Sequence, residues 1–163
     1  MSKAGIRAFV DILGFGGDNL GQVTKTIADY TNGTPTNSSD KTTEFTCEGD
    51  GHMLTLQADL VGGAHEQTKW IYGTSLSTSD SVASNDILKS VQYPDPSSGN
   101  PSSSQQETYT VNALGQTRTV TDRNGNVHSL SYDVLGRLTA DAVTTLGSGM
   151  DGAVRRIETA YDT

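Results

Sequence analysis

The stretch Tyr132-Asp133-Val134-Leu135-Gly136-Arg137-Leu138-Thr139, followed by Asp141, constrains this chain more than any other feature, because weaker copies of it recur in frame. Val111-Asn112-Ala113-Leu114-Gly115-Gln116-Thr117 precedes it, and Tyr161-Asp162 opens a further copy. Upstream, Asp18-Asn19-Leu20-Gly21-Gln22-Val23-Thr24 fits the frame with Gly17 in the tyrosine position. Cys47-Glu48-Gly49-Asp50-Gly51-His52-Met53 fits it loosely. A unit recurring at about 20 to 30 residues marks an array, in which the repeat is architecture rather than a catalytic centre.

Each motif position has a physical use in a hairpin corner. Tyr132 can lay its ring on a sheet and satisfy its hydroxyl at the edge. Asp133 can cap a turn by accepting backbone N–H bonds. Gly136 supplies the positive φ that a Cβ disfavours. Arg137 can reach an acidic or aromatic group, and Leu138 re-enters the apolar layer. The corner positions are therefore Tyr132, Asp133, Gly136, Arg137 and Leu138, with Asn112, Gly115, Asp18, Gly21, Tyr161 and Asp162 as their counterparts. The copies keep glycine best, as a turn requires and a polar reaction site does not.

Composition allows only a thin core. Leu, Ile, Val and Phe total 32 of 163 residues, and the net charge is -8. That is the edge of the range in which a chain buries enough apolar surface to fold. Ser and Thr add 39 residues, Thr suiting pleated surfaces and Ser suiting turns. Eleven basic residues face 19 acidic ones and cluster no further than Arg155-Arg156, which argues against nucleic acid as a partner. Cys47 is alone, so no intramolecular disulfide forms. No apolar run reaches the roughly 20 residues a membrane span needs. Lys3 and Arg7 precede only a short apolar stretch broken by Asp11, a poor signal peptide. Localisation stays open, and the end just after Tyr161-Asp162 favours a piece of a longer chain.

Period-two patterning predicts strand after strand. Residues 1–16 are left unassigned, with Ile6, Val10 and Leu13 at helical spacing and Val10 to Gly14 resembling a repeat opening. A strand is expected over Gln22 to Ala28, then a turn at Asn32-Gly33 and a loop over 34–41. Thr42 to Thr46 and His52 to Ala58 pair around Glu48-Gly49-Asp50-Gly51. Gln67 to Tyr72 and Ile87 to Tyr93 follow, separated by a Ser/Thr/Asp-rich insertion near 74–86. Prolines 94, 96 and 101 with Ser102-Ser103-Ser104 predict a second insertion near 94–104, since proline cannot donate to a sheet. Gln116 to Thr121, Val127 to Tyr132, Arg137 to Val143 and Val154 to Tyr161 complete the series. No amphipathic helix of crossover length appears, which argues against a parallel βαβ arrangement. The expectation is an all-β array of consecutive antiparallel β-hairpins over 17–163.

Tyr132-Asp133-x-x-Gly136-Arg137-Leu138-Thr139, with Asp122-Arg123-Asn124-Gly125-Asn126 and Tyr161-Asp162, resembles the Rhs/YD-repeat family. The last third is closely similar, 44–93 loosely, and 1–16 hardly at all. The resemblance implies hairpins laid side by side in a spiralling sheet, part of a shell around a variable C-terminal cargo, often a toxin. It also implies a secreted or cell-surface setting, in bacterial proteins or animal adhesion receptors. The family's shell-closing segment, with its self-cleavage aspartates and Asp-Pro-x-Gly end, has no counterpart, Asp95-Pro96 being followed by Ser97-Ser98.

A structural segment of a YD-repeat wall is the leading reading, its partners being further repeats of the same or a neighbouring chain. The alternative is an adhesive module for a surface carbohydrate or protein, using Trp70, Tyr72, Tyr93 and Tyr109. An enzyme is the weakest reading. Cys47, His52 and His65 match no zinc spacing, and neither a nucleophile elbow nor a phosphate loop is present. No catalytic residue, cofactor or metal is expected. Asp122 to Asn126 grazes a calcium loop but lacks its trailing Glu, so a hairpin turn is the better reading.

Overall fold

The computed structural model describes residues 16–28, 41–60 and 62–162. The expectations for residues 1–15, for the Asn32-Gly33 turn and for the loop that follows it lie outside them. Among the described residues the fold is all-β. The strands are β1 (Gly16–Gly17), β2 (Val23–Ala28), β3 (Lys41–Cys47), β4 (Met53–Asp59), β5 (His65–Thr74), β6 (Ser84–Pro94), β7 (Pro101–Val111), β8 (Thr117–Thr121), β9 (Val127–Tyr132), β10 (Leu138–Thr145) and β11 (Arg156–Glu158). Neighbours in the chain are neighbours in the sheet, without a crossover. Most of the described connections are short and glycine-bearing, which favours pairing between chain neighbours.

The chain divides into two compact units, Met1–Thr68 with Pro96–Asn100, and Lys69–Asp95 with Pro101–Thr163. In the first, β2, β3 and β4 pair through Lys25↔Glu44↔Gln57 and Phe45↔Leu56. Lys25 Nζ lies 2.7 Å from Glu44 Oε1, and Gln67 Nε2 donates to Gln57 Oε1 at 3.1 Å. Polar rows of this kind stand where a thicker protein would put aliphatic side chains.

In the second unit the register sorts residues onto two faces, because opposed residues share a face and successive ones alternate. Trp70↔Val91↔Glu107 and Tyr109↔Val120↔His128↔Val143 lie on one face, with Leu130↔Asp141↔Ile157 beside them. Ile71↔Ser90↔Thr108↔Thr121↔Val127 and Thr110↔Thr119↔Ser129↔Ala142 lie on the other. One face is aromatic and apolar, the other mostly hydroxyl and methyl. Thr110 and Thr119 bond hydroxyl to hydroxyl at 2.7 Å. Among the described residues only Ile27, Val91, Val111 and Ala140 are fully buried apolar residues, Val111 most deeply, in keeping with the thin core that the composition allows.

Two expectations change. The insertion near 94–104 shrinks to 95–100, because β6 runs to Pro94 and β7 starts at Pro101. Those prolines face each other at the hairpin's end, where a missing N–H costs little. Ser102 to Ser104 are therefore strand rather than linker. Conversely, Val154 to Tyr161 shortens to the three residues of β11. The 74–86 insertion is a loop over 75–83.

Candidate functional site: a repeated corner and its lateral bonds

Six corners among the described residues share one backbone. In each, the first residue's N–H donates to the fifth residue's carbonyl, and the fourth residue's N–H donates back to the first carbonyl. The corners span 18–22, 48–52, 60–64, 112–116, 122–126 and 133–137, with N···O distances from 2.8 to 3.3 Å. Such a hairpin combines a three-residue loop with a glycine at positive φ. The fourth residue is glycine in all six, for example Gly136 at φ 80° and Gly115 at φ 76°.

Four corners add a side-chain cap. Oδ1 of Asp18, Asn112, Asp122 and Asp133 each accepts the amides of the third and fifth residues at 2.8 to 3.0 Å. The Arg137 amide, its guanidinium and the Leu135 amide hold the Asp133 carboxyl below its ordinary value despite partial desolvation. Burial pushes Asp122 up, but Asn126, two amides and the nearby His128 outweigh it and hold it low. The third residue is solvent-exposed leucine in three corners: Leu20, Leu114 and Leu135.

The fifth residue ties its corner onward. Gln116 Nε2 donates to the Gly136 carbonyl at 3.3 Å, linking the 112–116 and 133–137 corners. Asn126 Oδ1 accepts the Gly147 amide at 2.9 Å. A Cβ on Gly147 would sit 1.9 Å from the Asn124 carbonyl oxygen, so only glycine allows this approach. Arg137 donates to Asp133 Oδ2 at 2.7 Å and lies 4.2 Å above the Tyr161 ring. The tyrosine ahead of a corner reaches back. Tyr132 Oη donates to the Thr117 carbonyl at 2.8 Å, and Tyr161 Oη to the Leu138 carbonyl at 2.9 Å. Thr117 and Leu138 hold the same place, five residues after Asn112 and Asp133, so Tyr161 repeats what Tyr132 does.

Residues 111–148 match the family model of the RHS repeat. That segment contains three corners and the Tyr132 bond between two of them. This stretch is similar to an RHS repeat. A comparison with curated proteins finds no match. The corner geometry also extends beyond the matched segment, to 18–22, 48–52 and 60–64.

Of the repeat positions read from sequence, Asp18, Gly21, Asn112, Gly115, Asp133, Gly136 and Arg137 sit in corners, and Tyr132 and Tyr161 supply backward bonds. Leu138 is partly exposed beside Val120 and Leu130. Asp162 follows Tyr161 at the end of the described residues. The histidines each have a separate partner: His52 meets Glu48 at 2.8 Å, His65 meets Asn100 at 3.1 Å, and His128 meets Asp141 at 2.8 Å. Tyr109 Oη donates to Glu107 Oε2 at 2.9 Å, and Arg123 lies 4.8 Å over Tyr93. Burial first, then Glu107, pushes the Tyr93 and Tyr109 hydroxyls up.

Three features escape a reading of the sequence alone. The Leu60–Ala64 corner lacks the Asx cap, and only Gly62-Gly63 signals it. Asp80, 3% exposed, is clamped by Lys89 Nζ at 2.6 Å and the Val111 amide at 3.0 Å, fastening the 75–83 loop. Glu48, Asp50 and His52 converge on one corner, a grouping visible only once the corner's first, third and fifth positions are known to share a side.

Proposed function

We propose that this chain is a structural wall segment of a YD-repeat shell or surface protein, whose partners are further repeats of the same or a neighbouring chain. The observation that supports it is the backward bond made twice, by Tyr132 to the first residue of β8 and by Tyr161 to the first residue of β10. Repeated lateral fastening of this kind serves extension of a sheet, and each unit leans on the one before it. Edge strands invite further pairing, and β11 presents three exposed residues. The test is the DNA on either side of the reading frame. A wall segment expects further Tyr-Asp-x-x-Gly-Arg copies at intervals of about 20 to 30 residues. An isolated gene with no further copies in this or the adjoining frames overturns the proposal.

A second reading, adhesion to a surface carbohydrate or protein, is favoured by one observation. Trp70, Tyr93 and Tyr109 occupy one face of the second unit, each half-buried rather than sealed. Stacking on sugar rings uses such faces. Glycan-array binding that Trp70→Ala abolishes supports this reading, and an array without hits removes its carbohydrate form.

A further inference from the structure

We infer that the 48–52 corner is a binding site for a divalent first-row transition ion, of which Zn2+ is the probe. The corner keeps the shared backbone, with Glu48 N–H donating to the His52 carbonyl and Gly51 N–H to the Glu48 carbonyl, both at 2.9 Å. Its side chains differ from those of the capped corners. Where Asp18, Asn112, Asp122 and Asp133 turn a short side chain onto the amides, Glu48 is one methylene longer, and its carboxylate meets His52 Nδ1 at 2.8 Å. Asp50 approaches the same nitrogen at 3.5 Å. One ligand atom from each of the three residues lies within 4.8 Å of the others.

Two carboxylates and one imidazole nitrogen thus gather within reach of one ion. A ring nitrogen carries a single proton, which can bond one carboxylate well and leaves the second poorly compensated. A cation replaces that proton and satisfies all three groups. Bonds of about 2.0 to 2.2 Å from nitrogen and oxygen donors place neighbouring donor atoms about 3.0 to 3.5 Å apart around one ion. The His52–Glu48 separation of 2.8 Å falls just short of that range, the His52–Asp50 separation of 3.5 Å meets its long end, and all three atoms lie within 4.8 Å, so the ion would need a small side-chain adjustment. The donor set decides the ion class. Imidazole with carboxylate suits Zn2+ and its neighbours, whereas Ca2+ and Mg2+ take oxygen alone. Glu48 and His52 are about one-third exposed and Asp50 more so, which leaves room for water to complete the coordination. The ion would lock the corner through its side chains, doing from outside what the aspartate cap does elsewhere.

Isothermal titration of ZnCl2 into metal-stripped protein tests the site. One Zn2+ per chain is expected, with CaCl2 and MgCl2 giving no comparable heat. His52→Gln is expected to weaken Zn2+ binding at least tenfold, while His65→Gln, His128→Gln and Cys47→Ser bind as the parent does. Glu48→Asp guards against loss of fold, because aspartate recreates the cap of the other corners. It is expected to weaken Zn2+ binding tenfold or more while raising the melting temperature of the metal-free protein. Absence of saturable Zn2+ binding, or binding undiminished by His52→Gln, overturns the inference.

Discussion

Gly136 and Arg137 are adjacent in the chain but carry different loads. Gly136 holds φ at 80°, and an added Cβ would stand 3.0 Å from Gln116 Nε2, the atom that links two corners. A β-branched residue there meets both backbone strain and that contact, a combined cost of about 2 kcal/mol or more. Arg137 pairs with Asp133 at the surface and covers Tyr161, an arrangement that water and salt weaken. Gly136→Val is therefore expected to lower the urea midpoint clearly more than Arg137→Ala. Equal midpoints would remove glycine's special role in the corner.

At the scale of the element, a hairpin is closed by its own corner and fastened by the next tyrosine. Tyr132→Phe removes one half-buried hydroxyl bond and leaves the Thr117 carbonyl short of a donor, a loss of about 1 kcal/mol. Tyr161 is more exposed, so Tyr161→Phe is expected to shift the melting temperature less. The 75–83 loop depends on Asp80 in a comparable way. Asp80→Ala strands the Lys89 ammonium and the Val111 amide, and a drop of about 2 kcal/mol by urea titration is expected. These elements were unequally legible beforehand. The corners at 133–137, 112–116 and 18–22 could be read from Asx, Gly and a following strand, because the turn chemistry is local. β7 could not, because prolines and a serine run mimic a linker and only the facing strand β6 shows them to be paired. Nor could the Asp80 clamp, whose partners lie nine and 31 residues away. The Glu48, Asp50 and His52 grouping needed the corner geometry first.

For the molecule as a whole, the carboxyl and phenol groups set the pH limits of stability. Asp80, Asp122 and Asp133 are all held below the ordinary value of 3.8 in the fold. For Asp80, burial opposes this shift and the bonds from Lys89 and Val111 outweigh it. A carboxyl lowered by folding contributes stability above its unfolded value, and that contribution is lost as pH falls through the folded value. Melting temperature is thus expected to drop below about pH 4, and Asp122→Asn to flatten that acid limb. Tyr93, Tyr109 and Tyr132 are raised above 10.0, Tyr132 by burial, so their contribution holds below pH 10 and fades as pH rises through their folded values. Tyr109→Phe is expected to flatten the alkaline limb, and an unchanged limb would show that this phenol does not govern it.

The backward tyrosine bond also imposes a parity on how such a chain can grow. Tyr132 reaches the first residue of β8 from the end of β9, and Tyr161 reaches the first residue of β10 from beyond β11, so donor and acceptor meet at the open end of one hairpin. Inserting or deleting a single strand within such a hairpin would send its tyrosine to the opposite end, away from its carbonyl. Lengthening by hairpins preserves the count, and loops such as 75–83 can swell without disturbing it. A gene of this kind is therefore expected to gain and lose sequence in even steps.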